Sequence, residues 1–464
     1  MKLDKGQTIE LTIDKMAYGG QGVGRVNGFV VFVRGAVSGD RIRARIHRKK
    51  KDYAQAVLIE LLESSPDRVE APCPYSSYCG GCQWQNVSYE KQLDYKKAFI
   101  KESMEHIGGV KNTIIHDVIP SEKILAYRNK MEFSFSNRRW FLPHEMDNRE
   151  KEGSFALGLH VPESYHKIID MKACLLQQER GNQILLEVKE YIKNCGIPIY
   201  DMKTHEGLWR FLVIRYSTAF DEWMVNVVTS EECQEVLEPL SDILCDQIGQ
   251  IKTVINNINR RKASIAIGET EIILAGEGYI EDKIGPYTFH ISANSFFQTN
   301  SLGALKLYQK AIEYAELKGS DMILDLYSGI GTIPIFLANK VRAVTGIEIT
   351  KNATLDAQRN CKRNAIDNCH FICGDIREEL ATINFMPDVL IIDPPRAGMH
   401  KDVLAQVLAL SPERIIYISC NPTTMARDIG QMTKYYDLVE IQPVDMFPQT
   451  YHIEAVAKLW LKKT

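Results

Sequence analysis

A cysteine and a glutamate near the end of the 464-residue chain are of the right types for covalent catalysis. Cys420 follows an apolar run typical of a strand, and Glu454 ends the segment Pro448–Glu454, which reads PQTYHIE. A thiolate can add to an electron-poor ring carbon, and the adjacent carbon of that adduct can then take a methyl group. A carboxylate can afterwards remove the proton from the methylated carbon, so that the cysteine is expelled. We predict that Cys420 is the nucleophile and Glu454 the general base, with His452 as an alternative base.

The residues after Cys420 favour a reactive thiol. Asn421 and Pro422, followed by two threonines, are typical of a helix start. A helix N-terminus stabilises a thiolate, so we expect the pKa of Cys420 to lie below the usual value of roughly 8.5.

A glycine turn upstream predicts a site for a nucleotide-containing cofactor. Residues 322–327 read as an apolar strand, 328–332 read SGIGT, and a helix is expected from Ile333. Glycines let the backbone approach a ligand at the carboxyl end of a strand. Glu348 ends the next predicted strand, where it can accept hydrogen bonds from ribose hydroxyls, and Asp375 ends a third strand near the expected adenine position. The alternation of strands and helices after about residue 286 predicts a doubly wound parallel sheet.

The segments around Asp393, Cys420 and Glu454 resemble the RNA uracil-C5 methyltransferases that use S-adenosylmethionine. Asp393 begins a D-P-P-R loop, whereas related loops in enzymes that methylate exocyclic amines usually have an aromatic residue in place of the arginine. Residues 295–300, SFFQTN, are similar to the family's S-F-F-Q-x-N segment, although the two phenylalanines could simply be core residues. The resemblance implies that Cys420 bonds to uracil C6 and that Asp393 orients the methyl donor or the uracil edge. It also implies a cofactor site made of Gln298, Tyr327, Gly329, Gly331, Thr332, Glu348, Asp375 and Asp393.

Three cysteines lie close together in a loop-forming sequence, with the spacing Cys73-x5-Cys79-x2-Cys82. Cys174 is the candidate fourth ligand. Four thiolates can hold zinc or a [4Fe–4S] cluster, and the spacing does not separate these from buried thiols without a ligand. The resemblance favours the cluster, because several family members carry one on C-x5-C-x2-C plus a distant cysteine. We expect its role to be structural.

The first sixty residues alternate short β-branched runs with glycine turns, which predicts a small closed barrel. The stretch 41–51 contains seven lysines or arginines and no acid, and strict alternation places Arg41, Arg43 and Arg45 on one face. This favours contact with an RNA backbone, although a solvated edge strand is the alternative. The segment resembles a TRAM domain, an OB-like RNA-binding barrel.

Length and composition predict a multidomain α/β protein. We expect a TRAM-like barrel over 1–62, a central α+β domain with the cysteine loop over 63–285, and a Rossmann-like methyltransferase domain over 286–464. The helical stretch 89–107 could pack on the central or the C-terminal unit. The net charge of −3 limits RNA binding to local basic patches. We expect a cytoplasmic protein, because no signal peptide or membrane-length apolar run is evident. We also expect it to be a monomer.

The resemblance implies an enzyme that makes 5-methyluridine in RNA. We expect 23S rRNA as the partner, because a barrel combined with a cysteine cluster is commoner in the ribosomal branch of the family. A T-loop uridine of tRNA is the alternative target. A non-catalytic, cluster-bearing RNA-binding assembly factor is an alternative of another class.

Overall fold

The computed structural model describes residues 3–148, 154–164 and 166–463. These residues form a barrel, a central sheet, a short hairpin and a C-terminal sheet. In the described ranges, no helix is long and apolar enough to cross a membrane.

The N-terminal strands close into the predicted barrel, in the order β1-β2-β3-β5-β4. Ile42, Ala44 and Ile46 alternate into its core, and they pack there against Ile13 and Val31. The strands are β1 (Thr8–Met16), β2 (Gly22–Val26), β3 (Phe29–Arg34), β4 (Arg41–Lys49) and β5 (Tyr53–Glu63).

The arginines of β4 do lie on the outer face, but acids on the neighbouring strands compensate two of them. Arg43 is opposite Glu10 of β1 and Glu60 of β5, and it forms ion pairs with both. Arg41 pairs with Glu63 at 2.6 Å. Cross-strand pairing therefore removes much of the free positive charge that the sequence of β4 alone predicts.

Helix α1 (Tyr89–His106) and strand β6 (Ile114–Ile115) follow the barrel. Ile100 and Met104 of α1 pack in an apolar cluster of the C-terminal sheet. Strand β6 forms one edge of that sheet, where it pairs with residues 440–441. The predicted central range 63–285 thus contains a segment that packs with the C-terminal sheet.

The central sheet carries two helices on one face. Its strand order is β14-β13-β12-β11-β7-β9-β10-β8. The helices α2 (Glu179–Asn194) and α3 (Gln234–Gln247) bury Ile184, Val188 and Leu240 against this face. A 3-10 helix spans Pro143–Asn148. The strands are β7 (Lys130–Ser136), β8 (Arg139–Trp140), β9 (Ala156–His160), β10 (Ile168–Asp170), β11 (Trp209–Ser217), β12 (Glu222–Thr229), β13 (Ile251–Ile258) and β14 (Thr270–Ala275).

A hairpin of β15 (Tyr279–Ile284) and β16 (Tyr287–Ser292) leads to the C-terminal sheet. The order of that sheet is β19-β18-β17-β20-β21-β23-β22-β6, which confirms the predicted doubly wound arrangement. Its strands are β17 (Met322–Leu326), β18 (Ala343–Glu348), β19 (Cys369–Cys373), β20 (Val389–Ile392), β21 (Arg414–Ser419), β22 (Tyr436–Val444) and β23 (Glu454–Leu461). Its helices are α4 (Ser301–Ala315), α5 (Thr332–Ala338), α6 (Lys351–Arg363), α7 (Ile376–Glu379), α8 (Lys401–Leu410) and α9 (Pro422–Met432), with a 3-10 turn at Leu380–Thr382.

Apolar clusters cover both faces of the C-terminal sheet. Ile323 of β17 faces one cluster, and Leu324 and Leu326 face the other. Burial on both faces explains why these strands are nearly continuous apolar runs in the sequence. Polar side chains are left for the strand ends, and the carboxyl ends of β17, β20 and β21 share one edge, because these strands are parallel.

Candidate active site

The predicted catalytic residues meet at this edge of the C-terminal sheet. Asp393 directly follows β20, Cys420 follows β21, and Glu454 begins β23. β21 and β23 are antiparallel, and Ser419 pairs with Ala455. One residue further along this register, Cys420 lies opposite Glu454. The sheet therefore brings a thiol and two carboxylates together from three separate strand ends.

The electrostatics of this trio differ from the sequence prediction. The pKa of Cys420 is raised to about 12, first by burial and then by Glu454 and Asp393, while Arg396 opposes them. The prediction of a lowered pKa is therefore wrong. The N-terminus of α9 follows Cys420, but its Thr423 N–H donates a hydrogen bond to the Asn421 side chain at 3.0 Å and not to the thiol.

The two carboxylates are also perturbed. Burial raises the pKa of Glu454 well above its ordinary value, Asp393 raises it further, and Arg396 lowers it. Burial raises the pKa of Asp393 to about 6. The pKa of His452 is lowered to about 3, mainly by burial and then by Arg396. His452 is therefore a weak proton acceptor, and Glu454 is the stronger base.

The glycine turn after β17 forms a cradle. Tyr327 has a φ of 69°, and Gly329 has a φ of 55° with open space where a Cβ would project. At Gly331, a Cβ would lie 3.0 Å from Cζ of Phe371, and Thr332 begins α5 directly after this glycine. The N–H of Gly329 donates to the Glu348 carboxylate at 3.1 Å. The turn thus presents open backbone beside an acid, as the sequence predicts for a nucleotide cradle.

Asp375 lies at the end of β19 and caps the short helix α7. Its carboxylate also accepts hydrogen bonds from the Arg377 side chain, which lowers the pKa of Asp375 to about 2. Asp375 is therefore ionised, and Arg377 is its partner.

Sequence reasoning missed Asp325, which lies beneath the glycine turn. Both of its carboxylate oxygens are buried without a hydrogen-bond partner among the described residues. Burial raises its pKa well above the ordinary range, and Asp393 and Glu348 add to this effect. The signal was present in the sequence as an acid within an otherwise apolar strand. A buried carboxylate without a partner is costly unless a ligand satisfies it.

Tyr308 of α4 also escaped sequence reasoning, and it links the two halves of the site. Its hydroxyl lies 3.3 Å from the Thr332 hydroxyl and hydrogen bonds to the Gln298 side chain. Its pKa is raised by burial first, and Asp393 and Glu454 raise it further. Gln298 thus lies beside the cofactor cradle and near the catalytic carboxylates.

The two phenylalanines before Gln298 have different environments. Phe297 is buried in the core, whereas the side chain of Phe296 is 67% exposed. The interpretation of both as core residues is therefore wrong for Phe296, which offers an aromatic face at this loop.

Comparison with known proteins agrees with this geometry. A family model described as tRNA (Uracil-5-)-methyltransferase matches residues 201–464, and a TRAM domain model matches residues 2–59. An uncharacterized RNA methyltransferase of Chlorobaculum tepidum is 41% identical, covering 98% of this chain and 96% of its own. A second, from Halalkalibacterium halodurans, is 37% identical, covering 99% of this chain and 98% of its own. This chain belongs to the uracil-5 RNA methyltransferase family.

It is accordingly an S-adenosylmethionine-dependent RNA methyltransferase with an N-terminal TRAM domain. A solved structure is similar over almost the whole chain. The crystal structure of the Pyrococcus abyssi tRNA (uracil-54, C5)-methyltransferase, in complex with S-adenosyl-L-homocysteine, aligns with a TM-score of 0.76 and 30% identity. The alignment covers 97% of this chain and 100% of that one.

In the present chain, the TRAM barrel borders the predicted catalytic residues. Tyr18 lies in the loop between β1 and β2, and its ring packs edge-on against Tyr451 at a centroid distance of 5.4 Å. Burial, then Tyr451 and Cys420, raise the pKa of Tyr18, so the Tyr18 hydroxyl lies near the predicted nucleophile. No sequence motif signalled this residue, because the contact depends on how the barrel packs.

Buried polar contacts hold the loop before Glu454. Lys96 of α1 is fully buried and pairs with Asp445 at 2.6 Å. Its ammonium also donates to the Phe447 carbonyl at 3.0 Å. The N–H groups of Gln83 and Trp84, just after the third cysteine of the loop, both donate to the Gln449 carbonyl at 3.0 Å. The cysteine segment is therefore joined directly to residues 445–453, which we call the catalytic loop because they precede the predicted base Glu454.

The four candidate ligand cysteines converge in one apolar cluster of the central sheet. Burial is the largest cause of the raised pKa of Cys174, and Cys79 and Cys73 raise it further. The pKa of Cys82 is also raised, mainly by burial and then by Cys174. Even so, among the residues that the structure describes, no group of three or more His, Cys, Asp or Glu side chains is arranged to hold a metal ion. The [4Fe–4S] cluster therefore stays a prediction.

Proposed function

We propose that this enzyme methylates C5 of a uridine in RNA through a covalent bond between Cys420 and C6. The observation that carries the proposal is the register of β21 and β23, which places the thiol opposite a buried glutamate at the edge that also carries the nucleotide cradle. A nucleophile and a base of raised pKa, side by side, suit addition followed by proton removal.

The steps follow from the groups present. Cys420 loses its proton to Asp393, whose pKa of about 6 leaves it ionised at neutral pH. The thiolate forms a bond to C6, and the electrons of the C5–C6 double bond move toward O4 to give an enolate. C5 then forms a bond to the donor methyl group as the sulfur–methyl bond breaks. Glu454 takes the proton from C5, the double bond returns, and Cys420 leaves as a thiolate.

S-adenosylmethionine supplies a methyl group on a positively charged sulfur. The residues of the site fit such a ligand, because the carboxylates beside Cys420 favour a cation and Asp325 holds two buried oxygens without a partner among the described residues. We assign the cofactor contacts to the residues around the glycine turn and the adjoining loops: Gln298, Tyr327, Gly329, Gly331, Thr332, Glu348, Asp375 and Asp393.

We propose 23S rRNA as the substrate. A flipped base must reach the half-buried Cys420, and the exposed ring of Phe296 offers a surface on which it can stack. A tRNA T-loop uridine is the second candidate, favoured by the similarity to the Pyrococcus abyssi tRNA (uracil-54, C5)-methyltransferase.

We also propose that Cys73, Cys79, Cys82 and Cys174 hold a [4Fe–4S] cluster. Four thiols from two distant segments share one apolar environment, and each iron of such a cluster takes its own cysteine, so the ligands need not surround a single point. Its role would be structural, because the segment after Cys82 holds Gln449 in the catalytic loop.

The test is site-resolved methyl transfer to unmodified transcripts of 23S rRNA fragments and of tRNA, read by nuclease digestion and mass spectrometry. Cys420→Ala should abolish transfer, and Cys245→Ala, at an exposed cysteine, is the matched control. A methyl group on uracil C5 of rRNA supports the proposal, whereas transfer to tRNA alone moves the substrate to the second candidate. Transfer by Cys420→Ala would refute the covalent mechanism.

RNA that carries 5-fluorouridine tests the adduct itself. Fluorine at C5 cannot be removed as a proton, so the bond between Cys420 and C6 should persist through denaturing electrophoresis. Glu454→Gln should accumulate the same adduct with ordinary uridine, because the step that releases the cysteine is blocked. Absence of both adducts would refute the assignment of the nucleophile.

A further inference from the structure

The central sheet contains a cavity of about 330 Å³ that the methyl-transfer chemistry does not use. It opens beside Ser134 and Ser136 of β7 and Phe211 of β11. Phe211 belongs to a small apolar cluster that is separate from the core under α2 and α3. The cavity therefore lies away from the packed core of the central sheet.

Strand β7 runs from this cavity toward the segment that contains Gln298. Alternate residues of β7, from Lys130 and Glu132 to Ser134 and Ser136, share one face of the strand. The first two line a second cavity of about 570 Å³, which is also lined by Thr299, next to Gln298. His160 lines both cavities. The distance along β7 is about 20 Å, at ~3.3 Å per residue.

The lining of the smaller cavity combines ring faces with hydrogen-bonding groups. Arg210 is buried, and its guanidinium lies 4.3 Å above the Tyr200 ring. Its Nε is buried without a hydrogen-bond partner among the described residues. The Nε2 of His160 lies 3.0 Å from the Ser134 hydroxyl within the lining. Arg138 lines the cavity as well; its side chain is 44% exposed and forms an ion pair at 2.9 Å with Asp201, which is also part of the lining.

We propose that this cavity binds an unpaired nucleobase of the same RNA whose uridine reaches Cys420. A base has two flat faces for aromatic contact and polar edges for donors that lack partners. The two cavities along β7, which share His160, would give one RNA strand a path between both sites. The enzyme would then require a second unpaired nucleotide at a set distance from its target, in addition to the uridine itself. This inference rests on the proposed RNA methylation.

Ser264→Trp tests the proposal by filling the cavity from its exposed rim. Thr270→Trp adds the same bulk to an exposed strand residue that is not part of the lining. Binding of single-stranded RNA, measured by fluorescence anisotropy, should weaken about tenfold or more in Ser264→Trp, with no change in Thr270→Trp. Equal binding by the two variants would overturn the proposal. Their thermal unfolding, compared with that of the unaltered protein, shows whether both fold.

A crosslinking experiment locates the base directly. Single-stranded RNAs carry one 5-fluorouridine, which reports on Cys420, and one photoreactive 4-thiouridine at a varied offset. We expect crosslinks to peptides of the cavity lining at one offset of a few nucleotides. Adduct at Cys420 without cavity crosslinks at any offset would overturn the cavity proposal and leave the methylation proposal standing. Cavity crosslinks without the adduct would support the cavity and count against the covalent mechanism alone.

Discussion

The protonation of Cys420 gives a quantitative prediction. Its pKa is raised from an ordinary value of 9.0 to about 12. At pH 8 the thiolate fraction therefore falls from about one in ten to about one in ten thousand, a decrease of roughly 1,000-fold. Because the thiolate is the species that reacts with iodoacetamide, folded Cys420 should be alkylated roughly 1,000-fold more slowly than the same residue in urea-unfolded protein.

Site-resolved mass spectrometry after timed alkylation measures this rate, and its pH dependence separates proton affinity from restricted access. The rate at Cys420 should keep rising about tenfold per pH unit beyond pH 10, whereas in unfolded protein it should level off near pH 9. A plateau near pH 9 in the folded protein would refute the reasoning that burial and the two carboxylates hold the thiol protonated.

The identity of the perturbing charges can be tested in the same assay. Glu454→Gln removes the largest charge effect on Cys420, so its alkylation at pH 8 should be faster. S-adenosylmethionine should accelerate alkylation more than S-adenosylhomocysteine does, because the two ligands have nearly the same shape and the former alone carries the sulfonium charge. Equal rates with the two ligands would contradict the electrostatic explanation.

Three further predictions concern the surroundings of the site. Asp393→Asn removes a carboxylate that raises the pKa of Cys420, so the rise of Cys420 alkylation with pH should move to lower pH, and an unshifted rise would contradict this; methyl transfer should fall as well, because Asp393 is the proposed acceptor of the Cys420 proton. Lys96→Met leaves Asp445 buried without its cation, so urea unfolding should show a loss of ~3–5 kcal/mol, largely restored when Asp445→Asn is added. Cys174→Ser should abolish the iron and acid-labile sulfide of protein purified without oxygen, whereas Cys245→Ser should retain both; equal iron in the two variants would contradict the assignment of the cluster.

Local patterns in the sequence were sufficient to predict much of the fold. Alternating residues and glycine turns predicted the N-terminal barrel, and apolar runs followed by the SGIGT turn predicted the parallel sheet. Both signals act over a few residues, because they come from strand pleating and from backbone freedom at glycine. The motifs around Asp393, Cys420 and Glu454 lie at strand ends, and parallel strands must bring such ends to one edge.

What the sequence could not decide is how charge and bulk combine across distant segments. The pKa of Cys420 moves opposite to the prediction from its own helix, because the thiol is removed from water and two carboxylates from other strands lie beside it. The paired arginine Arg43, the barrel residue Tyr18 at the catalytic loop and the cavity along β7 follow the same rule. Coulomb interactions and burial depend on distance in space and on the exclusion of water, and these are set only when the barrel and the sheets pack together.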